Sequence, residues 1–170
     1  MIFLVNDANI LIDLLKIGLL EVFFQLDYDF LVTDMVLAEI QEKNVGDLHP
    51  FFNAKRLTRQ GFTFDELVRI QVIQDRNPAL SVPDCSCLYL AQKVSATLLT
   101  NDAALRRIAG QEAVPVHGIL WVFDMLVEQN IIQRDTAIAA LSRLMEVNPR
   151  LPEKECLKRL KLWESQPRGV

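Results

Sequence analysis

The sequence predicts an α/β fold built on a parallel sheet. Short apolar runs alternate along the chain with helix-period segments, the pattern of successive βαβ units. The length of 170 residues, 51% of them hydrophobic, suits one globular domain with its own core. No repeat or low-complexity segment interrupts it.

Each element has its own signal. Residues 2–5, Ile-Phe-Leu-Val, read as the first strand, and 8–16 as a helix ended by Gly18. A second helix is expected over 19–26 and a short strand over 30–32. Thr33 or Asp34 then caps a helix running to residue 42. Gly46 and Pro50 mark a loop. Residues 62–64 are expected as a short edge strand and 65–74 as a helix. Ser81-Val82-Pro83-Asp84 has capping-box spacing with Asp in the usual Glu position, and Pro83 suits a first turn, so a helix should run from there to about 94. Residues 96–99 follow as a strand, 102–109 as a helix and 114–116 as a last strand ended by Gly118. Helices at 119–128, 138–146 and 153–163 complete the chain, with Pro149 and Pro152 as breaks.

Composition removes several function classes. The chain begins with neither a basic leader nor a cleavable apolar segment. Its most apolar stretch, 8–24, is broken by Asp13, Lys16 and Glu21, whereas a spanning helix needs ~20 largely uncharged residues. Three cysteines, Cys85, Cys87 and Cys156, suit free thiols in a reducing compartment, so a cytoplasmic location with no membrane partner is expected. Cys85-Ser86-Cys87 has no second Cys/His pair for a structural zinc. No Gly-rich phosphate loop follows any strand, which argues against a nucleotide cofactor. A net charge of −4 gives no global attraction to nucleic acid.

The placement of the acids says more than their number. Asp7 follows the first strand, Asp102 follows the strand at 96–99, and Asp84 lies in the first turn of its helix. In open α/β sheets, ligands bind at the carboxyl ends of the strands. Asp7 and Asp102 would share one crevice if those two strands are neighbours. Each is also a good helix cap, worth ~0.3–1 kcal/mol against the dipole. Glu39 sits mid-helix, on or beside the face carrying Val36 and Ile40, where a carboxylate either has a partner or reaches sideways to water. Four acids converging at a sheet edge repel one another unless a cation joins them. Oxygen ligands alone suit Mg²⁺ or Mn²⁺, which acidify water and neutralise charge on a phosphodiester under attack.

These residues resemble a PIN domain. The resemblance rests on Val5-Asn6-Asp7-Ala8-Asn9, on Leu37-Ala38-Glu39-Ile40, on Asp84 opening a helix that carries Leu90-Ala91, and on Leu99-Thr100-Asn101-Asp102. It covers roughly residues 1–132, including Val114-Pro115-Val116-His117-Gly118 and Asn130-Ile131-Ile132 near its end. It implies a short central parallel sheet with helices on both faces, and metal-dependent ribonuclease chemistry. Asp7, Glu39, Asp84 and Asp102 match the family's metal-ligating, catalytic acids. Asn9 stands where Thr or Ser is frequent and still offers a hydrogen bond to the first acid or to a metal-bound water; Asn101 is the other supporting residue. Many small members are toxins of toxin–antitoxin pairs (VapC-like) and are usually dimeric, so the resemblance implies an RNA substrate, an antitoxin partner and a homodimer. The alternative is a catalytically inactive protein-binding module on the same fold. Residues 133–170 carry no family motif and are expected as a helical extension packed on the domain of residues 1–132.

Phosphate contacts could come from Arg106 and Arg107, whose helix begins at Asp102. The cluster Lys55, Arg56 and Arg59 is a further source. Lys154, Lys158, Arg159 and Lys161 are interleaved with Glu153, Glu155 and Glu164 and read as a solvated face. His49 and His117 have no spaced partners and read as ordinary polar residues. Phe51, Phe52 and Trp121 suit base stacking or packing alike.

Overall fold

The computed structural model describes residues 2–40 and 42–165. Among them the elements run β1 (Phe3–Asn6), α1 (Ala8–Lys16), α2 (Leu20–Phe23), β2 (Asp29–Thr33), α3 (Asp34–Glu39), α4 (Glu42–Asn53), β3 (Leu57–Gln60), α5 (Phe64–Arg76), α6 (Val82–Val94), β4 (Thr97–Leu99), α7 (Ala103–Gln111), β5 (Val116–His117), α8 (Ile119–Glu128), α9 (Arg134–Val147) and α10 (Glu153–Ser165). The strands form one parallel sheet in the order β3-β2-β1-β4-β5, with helices on both faces, so the expected fold class holds. β1 is central because Leu4 and Val5 are apolar on both faces and fully buried, as a strand covered on both sides requires. It pairs with β4, Asn6 opposite Leu99, so the condition for a shared crevice is met.

Two expected elements are corrected. The loop around Gly46 and Pro50 is the helix α4. Leu48 is wholly buried there and its packing outweighs the two helix breakers, while the carbonyl of Pro50 still accepts from Ala54 N at 2.9 Å. The edge strand expected at 62–64 lies earlier, at β3, and Phe64 begins α5 with its side chain 79% exposed. The second helix is shorter than expected because the chain turns at Phe24, which packs edge-on to Phe30 of β2 with ring centroids 5.0 Å apart. The helix expected to run on to residue 42 ends at Glu39, and Gln41 lies outside the described residues.

α8 is core: Ile119, Leu120, Val122, Phe123 and Leu126 are all buried. On it lie the last two helices. Trp163 of α10, nearly buried, tilts against Phe123 at 6.2 Å, and Arg159 makes a two-nitrogen contact with Asp124 at 2.7–3.1 Å. Residues 166–170 of the expected extension lie outside the described residues, as does Met1 of the domain expected over residues 1–132. No described helix is long and apolar enough to cross a membrane.

Candidate active site at the carboxyl edge of the sheet

Asp7 stands just past the end of β1 and is 2% exposed. Its Oδ1 accepts from Ala8 N at 2.7 Å, opening α1, and its Oδ2 accepts from the hydroxyl of Thr100 at 2.7 Å. The backbone places that hydroxyl: Asp7 N donates to Leu99 O at 3.0 Å and Thr100 N to His117 O at 2.9 Å, fixing three strand ends in register. Thr100 Oγ1 also accepts from Asp102 N at 3.0 Å, so one buried hydroxyl ties two of the expected acids together.

Burial pushes the Asp7 carboxyl up to about 6; the hydrogen bond from Thr100 opposes this, and the charges of Asp84 and Glu39 reinforce it. Burial and Asp84 also raise Glu39. The Asp84 charge thus reaches both Asp7 and Glu39.

Asp84 and Asp102 bind their own helices. Asp84 Oδ2 accepts from the backbone N and the hydroxyl of Ser81, both at 2.8 Å, while Asp84 N donates back to Ser81 Oγ at 3.2 Å. This is the capping box expected from the sequence. Asp102 Oδ1 accepts from Leu105 N at 2.8 Å and caps α7. Of the two outcomes left open for Glu39, the structure has the second: it reaches water at the last turn of α3, while Val36, Leu37 and Ile40 take the buried positions. Among the described residues no three His, Cys, Asp or Glu side chains group closely enough to hold a metal ion as they stand. The donor set still fits a hard cation. It is all oxygen, and the Asp84 charge raises the carboxyls of both Asp7 and Glu39.

Two hydroxyls tie neighbouring helices together here. Ser86 Oγ donates to Pro83 O at 2.7 Å, which leaves Thr33 Oγ1 to donate to Ser86 across 2.8 Å. Thr33 in turn accepts from Val36 N at 3.1 Å and caps α3. The start of α6, with Asp84, is thereby fastened to the start of α3, the helix that ends at Glu39. Thr33 was legible as a cap; nothing in the sequence marks Ser86, flanked by two buried cysteines.

The supporting asparagines divide. Asn9 is exposed on α1. Asn101 Oδ1 accepts from Ile119 N at 2.9 Å and caps α8, leaving its Nδ2 buried without a partner. Asn6 Oδ1 is likewise orphaned, while its Nδ2 donates to Leu4 O and Leu31 O at 3.2 and 3.0 Å. Gly118 must lack a side chain, since a Cβ there would sit 2.7 Å from Asn101 Oδ1 and 3.1 Å from Arg106 Nη1.

Among the basic residues, Arg106 is half-buried and donates through Nη1 to Thr100 O at 3.0 Å, whereas Arg107 is exposed. Burial and Arg106 together lower the His117 pKa, so this imidazole is neutral at pH 7, stacked on Trp121 with ring centroids 4.4 Å apart and planes 4° apart. The cluster at 55–59 is largely committed to structure, with Arg56 donating to Phe24 O and Arg59 paired with Asp34. Phe51 packs on Phe24 at 4.4 Å.

A family model described as PIN domain matches residues 3–165. No curated protein matches the chain. Among solved structures, VapBC2 from Rickettsia felis, bound to a DNA fragment from its promoter, is 18% identical at a TM-score of 0.50, covering 69% of this chain and 98% of that one. A PilT N-terminus domain protein from Sulfolobus solfataricus is 14% identical at a TM-score of 0.47, covering 75% of this chain and 95% of that one. A protein from Pyrobaculum aerophilum is 14% identical at 0.49, covering 73% and 89%.

Proposed function

The chain belongs to the PIN domain family, and from that premise we propose that it is a ribonuclease acting with Mg²⁺ or Mn²⁺ at the carboxyl edge of the sheet. One observation carries the reading: a buried Asp7 beyond the central strand, with Asp84 and Glu39 near enough for their charges to raise its carboxyl. Asp7 and Asp102 would hold the ion from the sheet edge, with Glu39 and Asp84 completing its surroundings partly through waters. When bound, the ion would supply an acidified water and neutralise charge developing on the scissile phosphate. The chain's own part is positional. Thr100 holds one oxygen of Asp7, and Ala8 N the other, so the carboxylate presents its remaining lone pairs in a fixed direction. The Thr33–Ser86 contact joins α3, the helix that ends at Glu39, to α6, the helix that begins beside Asp84.

The test is cleavage of a mixed RNA pool with Mn²⁺. Asp7→Asn and Asp102→Asn should each abolish it while remaining folded; variants that cut as fast as the parent would refute the assignment.

The second reading is a catalytically inactive PIN-fold module that binds a partner protein. It is favoured by the engagement of Asp84 and Asp102 as helix caps and by the absence of a ready ligand group among the described residues. Mn²⁺ separates the two. A functional cluster gains thermal stability from the metal, because the ion binds the folded state and relieves like-charge repulsion. No shift at saturating Mn²⁺, together with no RNA cleavage, selects the module.

The family resemblance further supports an antitoxin partner, and co-purification with the product of the adjacent gene would test it; a chain that purifies alone from its own operon would count against it. We also infer that two copies pair through α5. Phe64, Leu67, Val68 and Val72 are exposed along one side of that helix, and the four-residue steps from Phe64 to Val68 to Val72 are symmetric about Val68. A two-fold antiparallel pairing would set Phe64 on Val72 of the other copy.

A further inference from the structure

Beside the acidic edge lies a cleft of about 900 Å³. Its lining has two origins. Asn9, Asn101 and Asp102 come from the candidate active site, and residues 147–152, joining α9 to α10, come from the C-terminal helices. His117 and Trp121, stacked in parallel, line it as well. The volume lies within the range of ligand sites, roughly 300–1,000 Å³.

The charges in the cleft separate into spent and available. Asp124 is taken up by Arg159 through contacts of 2.7–3.1 Å, and Glu155 lies 3.5 Å from the same guanidinium. The buried Asp13 accepts from Asn148 Nδ2 at 2.8 Å. Arg106 uses one nitrogen on Thr100 O and keeps other donors. Lys16 is exposed and its ammonium makes no hydrogen bond among the described residues, though its charge also acts on Asp13, and the exposed Arg150 has only its backbone engaged, N donating to Asn148 Oδ1 at 3.1 Å. What the cleft offers a ligand is therefore cations and the ring surface that His117 and Trp121 do not cover in each other, next to Asp102. A single-stranded polynucleotide supplies the complement, phosphates and unstacked bases. A small acid would leave the aromatic pair unused, and an apolar ligand would leave the cations unused.

We propose that this cleft seats the RNA strand flanking the scissile phosphate, with a base on the His117–Trp121 pair and phosphates on Arg106, Lys16 and Arg150. This rests on the ribonuclease reading above. It gives the C-terminal helices a part in the reaction, since the chain between them walls the channel beside the site.

The experiment uses the full-length protein and a fluorescein-labelled, mixed-sequence single-stranded RNA. Binding is followed by anisotropy in an Asp7→Asn background and cleavage with Mn²⁺ in the parent background. Reversing both exposed cations (Lys16→Glu with Arg150→Glu) should raise Kd and KM by about tenfold or more and leave kcat within about twofold. It should also flatten the log–log salt dependence by about 1.4, from ~0.7 per lost phosphate contact on a single strand. His117→Ala should weaken binding without changing that slope, because stacking releases no counter-ions. Arg107→Glu, on the same helix as Arg106 but outside the cleft, should cost less than Arg150→Glu alone, and an equal cost would overturn the assignment of the cleft. If the double variant binds and cuts as the parent does, the cleft is not the RNA channel, while the nuclease reading stands. If the folded parent neither binds nor cuts RNA, both fall.

Discussion

The Asp7 carboxyl accepts two hydrogen bonds and still holds its proton to about pH 6, because burial and two facing acids outweigh those bonds. Its folded-state pKa thus stands above the ordinary 3.8. A raised carboxyl contributes stability that is full below the unfolded pKa and is lost as pH rises through the folded one. The rise to about 6, at ~1.36 kcal/mol per pH unit, corresponds to about 3 kcal/mol missing at neutral pH in the metal-free protein. Urea melts without metal should show parent stability falling between about pH 4 and about pH 6, and Asp7→Asn should remove most of that fall; equal slopes in the two proteins would sink this account. Thr100 is a positioning residue. Thr100→Val deletes the donor to Asp7 and the acceptor for Asp102 N, and should cost about 1–3 kcal/mol and lower cleavage about 10–100-fold, with the Asp7 transition moving to higher pH. Thr100→Ser should restore both, and a valine variant as active as the parent would remove Thr100 from the site. At this scale the sequence was readable where an acid follows an apolar run, as at Asp7 and Asp102. It was unreadable where the partner is far along the chain, as between Thr33 and Ser86. For Glu39 the pattern left two outcomes open, a partner or a sideways reach to water, and the end of α3 at Glu39 itself decides for water.

Helices with a strong apolar period or a cap were legible, and elements held by one contact were not. α8 was placed end to end, and α6 was announced by its capping box. α4 was hidden by Gly46 and Pro50, because the burial of Leu48 that secures it comes from other parts of the chain. β3, at the sheet edge, buries only Leu57, so Leu57-Thr58-Arg59-Gln60 has no strand period to read. The last helix is held by few large contacts, and its docking is correspondingly sensitive. Trp163→Ala removes a ring packed against Phe123 and should cost about 3–5 kcal/mol in a urea melt. If it costs under about 1 kcal/mol, α10 is not seated as described.

Taken whole, the molecule carries −4 overall, yet its cleft is lined by as many bases as acids, Arg159 being paired with Asp124, so net charge was a poor guide to it. The surface of α5 sets a second whole-molecule expectation. Val68→Asp should convert a parent dimer to a monomer in sedimentation velocity without unfolding it, since Val68 is half exposed and lies at the centre of the stripe. A parent that sediments as a monomer at high concentration would end the pairing proposal. The strand order has a consequence in time as well as in space. β1 is made first but lies at the centre of the sheet, between β2 and β4. Asp7 and its Thr100 partner are 93 residues apart. At synthesis rates of ~5–20 residues per second, the acid leaves the ribosome about 5–20 s before the hydroxyl that orients it. The nascent chain therefore carries the first acid of the site through much of its own translation in an unassembled form, and any activity at the sheet edge switches on only after the second half of the sheet has docked.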